Sequence, residues 1–114
     1  MSCIELDACG TTGADLTIGL AWLTAAGIPV FESGDVAKIA IRQKGAATND
    51  LEITSAAASA NGSTIEFDIV TGAVTAYITA ADMDNIGTGI CQYEMHKGDT
   101  KFAGGKLAIT QGLF

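Results

Sequence analysis

Apolar and polar residues alternate one for one along most of this chain, and each alternating run ends at a short cluster of turn-forming residues. A period of two puts successive side chains on opposite faces of an extended strand, whereas a helix needs a repeat near 3.6. The chain is therefore constrained to stack short strands. Residues 14–22 (ADLTIGLAW) place Leu16, Ile18, Leu20 and Trp22 on one face and Thr17, Gly19 and Ala21 on the other. Turns follow at Ala26-Gly27-Ile28-Pro29 and at Ser33-Gly34-Asp35. Residues 36–42 (VAKIAIR) form the next strand, with Ile39 and Ile41 opposite Lys38 and Arg42.

Residues 51–59 and 64–70 flank Asn61-Gly62, the strongest short hairpin signal in the sequence. A two-residue loop there leaves Leu51 and Ile53 on the face opposite Ile65 and Phe67, so a bulge or another loop length is needed to restore parity. Residues 64–70 and 73–79, joined at Thr71-Gly72, carry matching apolar rows of Ile65, Phe67 and Ile69 against Val74, Ala76 and Ile78. Thr79-Ala80-Ala81-Asp82 has the spacing of a capping box and predicts one helical turn over 80–86, ended by Gly87 and Gly89. Residues 90–97 align Cys91, Tyr93 and Met95. Lys97-Gly98-Asp99-Thr100 then turns the chain into a last strand over 101–110, with Gly104-Gly105 expected as a bulge.

Seven strands, one helical turn and links too short for βαβ units predict an all-β fold, an antiparallel immunoglobulin-like β-sandwich. At 114 residues and 11.6 kDa the chain makes one domain, expected over 14–114. Residues 1–13 (MSCIELDACGTTG) form an edge strand or an N-terminal arm reaching a neighbour.

The net charge of −7 excludes nucleic acid as a natural partner. No apolar run is long enough to cross a bilayer, and no charged segment followed by an apolar one opens the sequence, so neither a membrane nor a secretory route is expected. The cysteines Cys3, Cys9 and Cys91 match no zinc spacing, and their odd number leaves a free thiol, pointing to a reducing compartment; a Cys9–Cys91 or Cys3–Cys91 bridge is the minor alternative. Mean hydropathy is +0.34, high for so small a domain, although alanine supplies 19 of the apolar residues. Either the fold is simply rich in Ala and Gly, or another protein covers part of its surface.

Catalytic patterns are weak. His96 stands at a polar parity beside Lys97 and reads as a surface histidine rather than a triad base. Asp82, Asp84 and Asn85 begin like a calcium loop but lack its glycine and terminal glutamate, so Asp82 reads as a cap and Asp84 as solvated. Glu66 and Asp68 share the polar face of one strand and read as solvated rather than as a carboxylate pair. Gly10-Thr11-Thr12-Gly13 has no following lysine and is no phosphate loop. Lys38, Arg42 and Lys44, and separately Lys97, Lys101 and Lys106, make two basic clusters facing solvent or an acidic partner. No catalytic residue, cofactor or metal is expected.

From Thr71 to Thr110 the order of signals resembles the small β-sandwich domain of phage tail and baseplate proteins, including the N-terminal domain of baseplate upper proteins. Thr79-Ala80-Ala81-Asp82 matches its helical turn, Gly89 with Tyr93-Glu94-Met95 the following strand, and Gly105-Lys106-Leu107-Ala108-Ile109 the last one. Leu16, Ile18 and Trp22, with the Gly27-Ile28-Pro29 turn, are similar too. The chain departs from that group in its N-terminal segment and in stopping at Phe114, soon after the last strand. The resemblance implies a non-catalytic virion structural protein, made in the bacterial host cytoplasm. It would dock in many copies on capsid, tail or baseplate proteins, as capsid decoration (cement) proteins do, with homo-oligomers such as trimers expected. Ile4, Leu6 and Trp22 are the expected contact residues. The alternative is a carbohydrate- or receptor-binding module, which requires exposed aromatics. A small hydrolase built on His96 is the remotest option.

Overall fold

The computed structural model of the protein describes residues 4–111. Among these described residues nine strands and one helix follow in order: β1 (Ile4–Glu5), β2 (Ala8–Thr11), β3 (Leu16–Ala21), β4 (Ala37–Gln43), β5 (Leu51–Thr54), β6 (Thr64–Phe67), β7 (Ala73–Ile78), α1 (Ala80–Ile86), β8 (Gly89–Lys97) and β9 (Thr100–Thr110). They form two sheets. The larger runs β1-β9-β8-β4-β5, with β2 also on β9, and the smaller runs β3-β7-β6. The run β9-β8-β4-β5 is the G-F-C-C′ order of a variable-type immunoglobulin sheet, and β3-β7-β6 is its B-E-D partner. The chain is an all-β, immunoglobulin-like sandwich.

The core follows from the alternation. Ile18, Ile39, Ile41, Ile53, Ile65, Val74, Ala76, Ile78, Cys91, Tyr93, Met95, Leu107 and Ile109 point inward from seven strands and are buried. One end of the core is aromatic. Trp22 stacks on Phe102 with ring centroids 4.4 Å apart, and Phe31 meets Trp22 edge-on at 5.9 Å and stacks on Phe67 at 4.6 Å. The helix begins and ends where the capping pattern predicts. Thr79 is its N-cap, its side chain accepting from the Asp82 amide, and Gly87 closes it at φ 81°.

Of the two alternatives for the N-terminal segment, the structure shows the edge strand from Ile4 onward, and three other expectations need correction. The segment lies along β9 as parallel strands, pairing Ile4 with Ala103 and Ala8–Thr11 with Leu107–Thr110. The reason is the length of β9: its outer edge offers peptide groups along eleven residues, and pairing them in place costs less than leaving them to water. Met1 to Cys3 and Gly112 to Phe114 lie outside the described residues. With β1 and β2 included, the strand count rises from seven to nine.

The Asn61-Gly62 hairpin is also absent. β5 pairs with β4 in the larger sheet, whereas β6 pairs with β7 in the smaller one, so residues 55–63 carry the chain between layers. Pairing β5 with β4 sets Ile53 against Ile39 and Leu51 against Ile41, which resolves the parity conflict in the sequence. Finally, the irregularity in the last hairpin is not at Gly104-Gly105. The register shifts between Met95 and His96, leaving Phe102 as the extra residue, while Gly104 and Gly105 pair regularly with Glu94 and Tyr93.

Candidate functional site

Two strand connections meet at one end of the sandwich. After β3 the chain turns through Thr24–Ile28, and after β6 it turns through Asp68–Gly72. The Trp22 amide donates to the Gly72 carbonyl at 2.9 Å, and a side chain at Gly72 would stand 2.5 Å from Leu23 Cδ2 and 3.5 Å from the Pro29 Cα. Asp68 builds the second turn: its carboxylate accepts from the Val70 and Thr71 amides at 2.7 and 3.3 Å. With backbone and carboxylate satisfied inside the turns, the tips present apolar side chains. Leu23, Ile28, Ile69 and Val70 belong to these two connections, and they are four of the seven large hydrophobic side chains that the described residues expose. Val70 is 81% exposed and Ile28 60%. Such an end is costly in water and fits a protein surface.

The second surface is the outward face of the larger sheet. A groove of about 530 Å³ lies over β8, β4 and β5, lined among others by Lys38, Arg42, Glu52, Glu94 and His96. Arg42 Nε donates to Asn49 Oδ1 at 2.9 Å, and Asn49 Nδ2 donates to Glu52 Oε1 at 2.7 Å. His96 Nε2 stands 3.3 Å from Glu94 Oε1. The lining holds no serine or cysteine beside that imidazole–carboxylate pair. All six lysine and arginine side chains lie on β4, β8 and β9 or, for Lys44, directly after β4. The two basic clusters are thus one layer of the molecule. Lys38 approaches Asp99 at 3.8 Å and Lys97 approaches Asp35 at 3.6 Å, both exposed enough that solvent screens them heavily.

The residues singled out in the sequence are dispersed. Trp22, expected at a contact surface, is 6% exposed and shares its ring with Phe31 and Phe102; a residue that fills the core has no face left for a partner. Ile4 is half-buried against the core, and Leu6 is exposed at the crossover between β1 and β2, so both belong to the chain's own sheet. Asp82 is buried rather than simply capping. Its carboxylate accepts from Ser59 Oγ at 2.6 Å, from Asn61 Nδ2 at 2.9 Å and from the Ser63 hydroxyl, binding the interlayer loop to α1. Burial pushes its pKa up, but hydrogen bonds from Ser59, Ser63, Asn61 and Thr79 outweigh that and hold it below the ordinary value. Asp84 accepts from the Gly13 amide at 2.7 Å. Among the described residues no three His, Cys, Asp or Glu side chains converge as metal ligands. Glu66 stays exposed on β6 while Asp68 serves its turn, so the two do not form a working pair.

Sequence reasoning missed the apolar end because residues 64–70 read as one strand, with Ile69 on its inner face. The signal was present. An aspartate three residues before Thr71 and four before a positive-φ glycine at 72 marks a turn, which ends the strand at Phe67.

No family model matches the chain, and no curated protein matches it. Among solved structures, a similar chain belongs to the crystal structure of the ZIG-8-RIG-5 IG1-IG1 heterodimer in its monoclinic form. The TM-score is 0.47 at 8% identity, covering 95% of this chain and 82% of that one. The strand order above, not this similarity, is the basis for the fold.

Proposed function

We propose that this chain is a non-catalytic attachment module that docks on a larger protein assembly through its apolar end. The observation that carries the reading is the gathering of Leu23, Ile28, Ile69 and Val70 on two adjoining connections. In its finer form the assembly is a phage particle, and the chain is a structural protein present in many copies on capsid, tail or baseplate proteins. Support for that form comes from the sequence resemblance and from the surplus of apolar surface. Many weak contacts on a symmetric lattice add to a strong attachment. Ile4 lies along β9 in the chain's own sheet, so the proposed contact rests on the loop-bearing apolar end rather than on the N-terminal segment.

The test is a double substitution, Ile28→Asp with Val70→Asp. Both side chains are exposed, so thermal stability should stay within about 0.5 kcal/mol of wild type. Copy number on purified particles, counted by quantitative mass spectrometry, should fall at least about tenfold, the effect of losing roughly 1.4 kcal/mol per site. Unchanged occupancy rejects the apolar end, and absence of the wild-type chain from particles rejects the virion form.

A second reading, a carbohydrate- or receptor-binding module, draws on Tyr77. It is the large aromatic that the described residues expose, on the outer face of β7 beside Thr75 and Glu66. Glycan-array binding lost in Tyr77→Ala favours that reading.

A further inference from the structure

Among the described residues, the smaller sheet stops at β3 with no strand beside it. In the variable-type layout an N-terminal strand commonly covers this side, but here β1 and β2 are both spent on β9. We propose that the free edge of β3 pairs antiparallel with β3 of a second copy, joining two three-stranded sheets into one across a two-fold axis.

Three observations carry this. The first is hydrogen bonding. The Trp22 amide points to the β7 side, at Gly72. Peptide groups alternate in direction along a strand, so Leu20, Ile18 and Leu16 bond to β7, and Thr17, Gly19 and Ala21 aim theirs at the open edge. Among the described residues no backbone or side-chain group bonds them there.

The second is Gly19. Every other described glycine has either a positive φ or a neighbour that an added Cβ would strike. Gly19 has neither, since a Cβ would meet Thr75 Oγ1 at an ordinary 3.7 Å. A mid-strand glycine costs about 0.5–1 kcal/mol relative to alanine. Its own fold does not require one here, and with no side chain on the outer face the middle of this edge leaves room for the side chains of an incoming strand.

The third is charge, and it selects the occupant. Residues 16–31 form the longest uncharged run in a chain of net charge −7. Another copy is repelled over most of the surface and least opposed at this edge. Other edges carry the usual guards against pairing: Glu52 on β5 and Glu66 on β6, each only four residues long, and Glu5 with Asp7 beside β9. β3 is six residues long and carries none. Antiparallel pairing of one strand with its own copy is self-complementary and closes at two chains. This pairing does not depend on the apolar end.

Sedimentation equilibrium of the full chain, from micromolar to millimolar, should give a monomer–dimer equilibrium. Gly19→Lys fits the space at that position but sets two ammonium groups near each other. Gly19→Pro removes the edge-facing N–H and sets a ring at that edge. Each should weaken dimerisation at least about tenfold. Amide exchange of Thr17, Gly19 and Ala21 should slow in the dimer and return to loop rates on dilution, while Ile18 and Leu20 stay protected throughout. A wild-type monomer at every concentration, a closed trimer, or a dimer that both variants retain overturns the proposal. Loop-rate exchange at Thr17, Gly19 and Ala21 at the highest concentration does so too, and that reading needs no variant to fold.

Discussion

The Tyr93 phenol donates its hydrogen to the backbone carbonyl of Leu6. One residue comes from the middle of β8, the other from the crossover between β1 and β2, so the bond crosses over β9. Gly105 lies beneath it, opposite Tyr93 in the ladder, and an added Cβ there would come within 2.2 Å of the same carbonyl oxygen. Together they explain how a short N-terminal segment is held to the sheet. The crossover also takes the Leu6 amide bond to the Gly104 carbonyl at 3.0 Å and the Lys106 amide bond to Asp7 at 3.0 Å.

Tyr93→Phe should therefore cost about 1–3 kcal/mol, because it leaves a part-buried carbonyl without its donor. Amide exchange should rise in β1 and β2 more than elsewhere. Burial first, and the Asp7 carboxylate second, raise the Tyr93 pKa. The folded state then holds this proton more tightly than the unfolded one. Its contribution is complete below the pKa of an unfolded tyrosine, about 10, and is lost as pH rises through the higher folded value. Urea titrations across that range should show an alkaline loss of stability that Tyr93→Phe flattens. A parallel decline in the variant would refute the assignment.

Asp82 has the opposite sign. Its pKa is lowered on folding, so its contribution is present above the pKa of an unfolded aspartate, about 4, and is lost as pH falls through the folded value. Asp82→Asn should cost about 2–4 kcal/mol at neutral pH, since one carboxylate anchors Ser59, Asn61 and Ser63. The variant should also lack the acid-dependent part of the wild-type curve. An unaltered acid limb measured by circular dichroism would contradict this.

Two glycines to alanine should behave oppositely. Gly105→Ala forces the Leu6 crossover away from β9 and should destabilise by at least about 2 kcal/mol. Gly19→Ala meets ordinary contacts in a strand and should leave the monomer unchanged or stabilise it by about 0.4–1 kcal/mol. Denaturant melts of both variants in monomeric conditions make the comparison, and equal effects would rule out the steric account.

Cys9 and Cys91 are both free thiols. Cys9 is exposed on β2, whereas Cys91 faces the core, with its pKa raised by burial and then by Asp50. A Cys9–Cys91 bridge does not form because the two side chains lie on opposite faces of one sheet. Alkylation of the native protein should label Cys9 at the rate of an exposed thiol and reach Cys91 only on unfolding. Peptide mapping that finds Cys91 modified first would overturn that placement.

Much of the fold was legible from residues alone. The seven strands between Ala14 and Thr110 begin close to where the alternation puts them, though β5 stops at Thr54 and β6 at Phe67, short of the expected 59 and 70, and α1 spans 80–86 as its capping pattern requires. The Asn61-Gly62 signal misled because a turn dipeptide reports a local change of direction, not which strands it joins. Here that turn seats Asn61 on Asp82 instead of closing a hairpin. Trp22 misled differently: the end of an apolar row looks the same whether the ring closes a core or meets a partner.

What the sequence by itself determined is the approximate position of the seven strands after Ala14, the helix and most of the inward side chains, because alternation and capping act between residues close along the chain. Tertiary structure alone decided that Ile4 to Thr11 would line β9, that β5 and β6 would part between layers, and that Ile69 and Val70 would face water. The physical reason is that strands pair through N–H and C=O groups that are the same at every residue. Choice of neighbour therefore rests on which distant edges are free and on which packing fills the core.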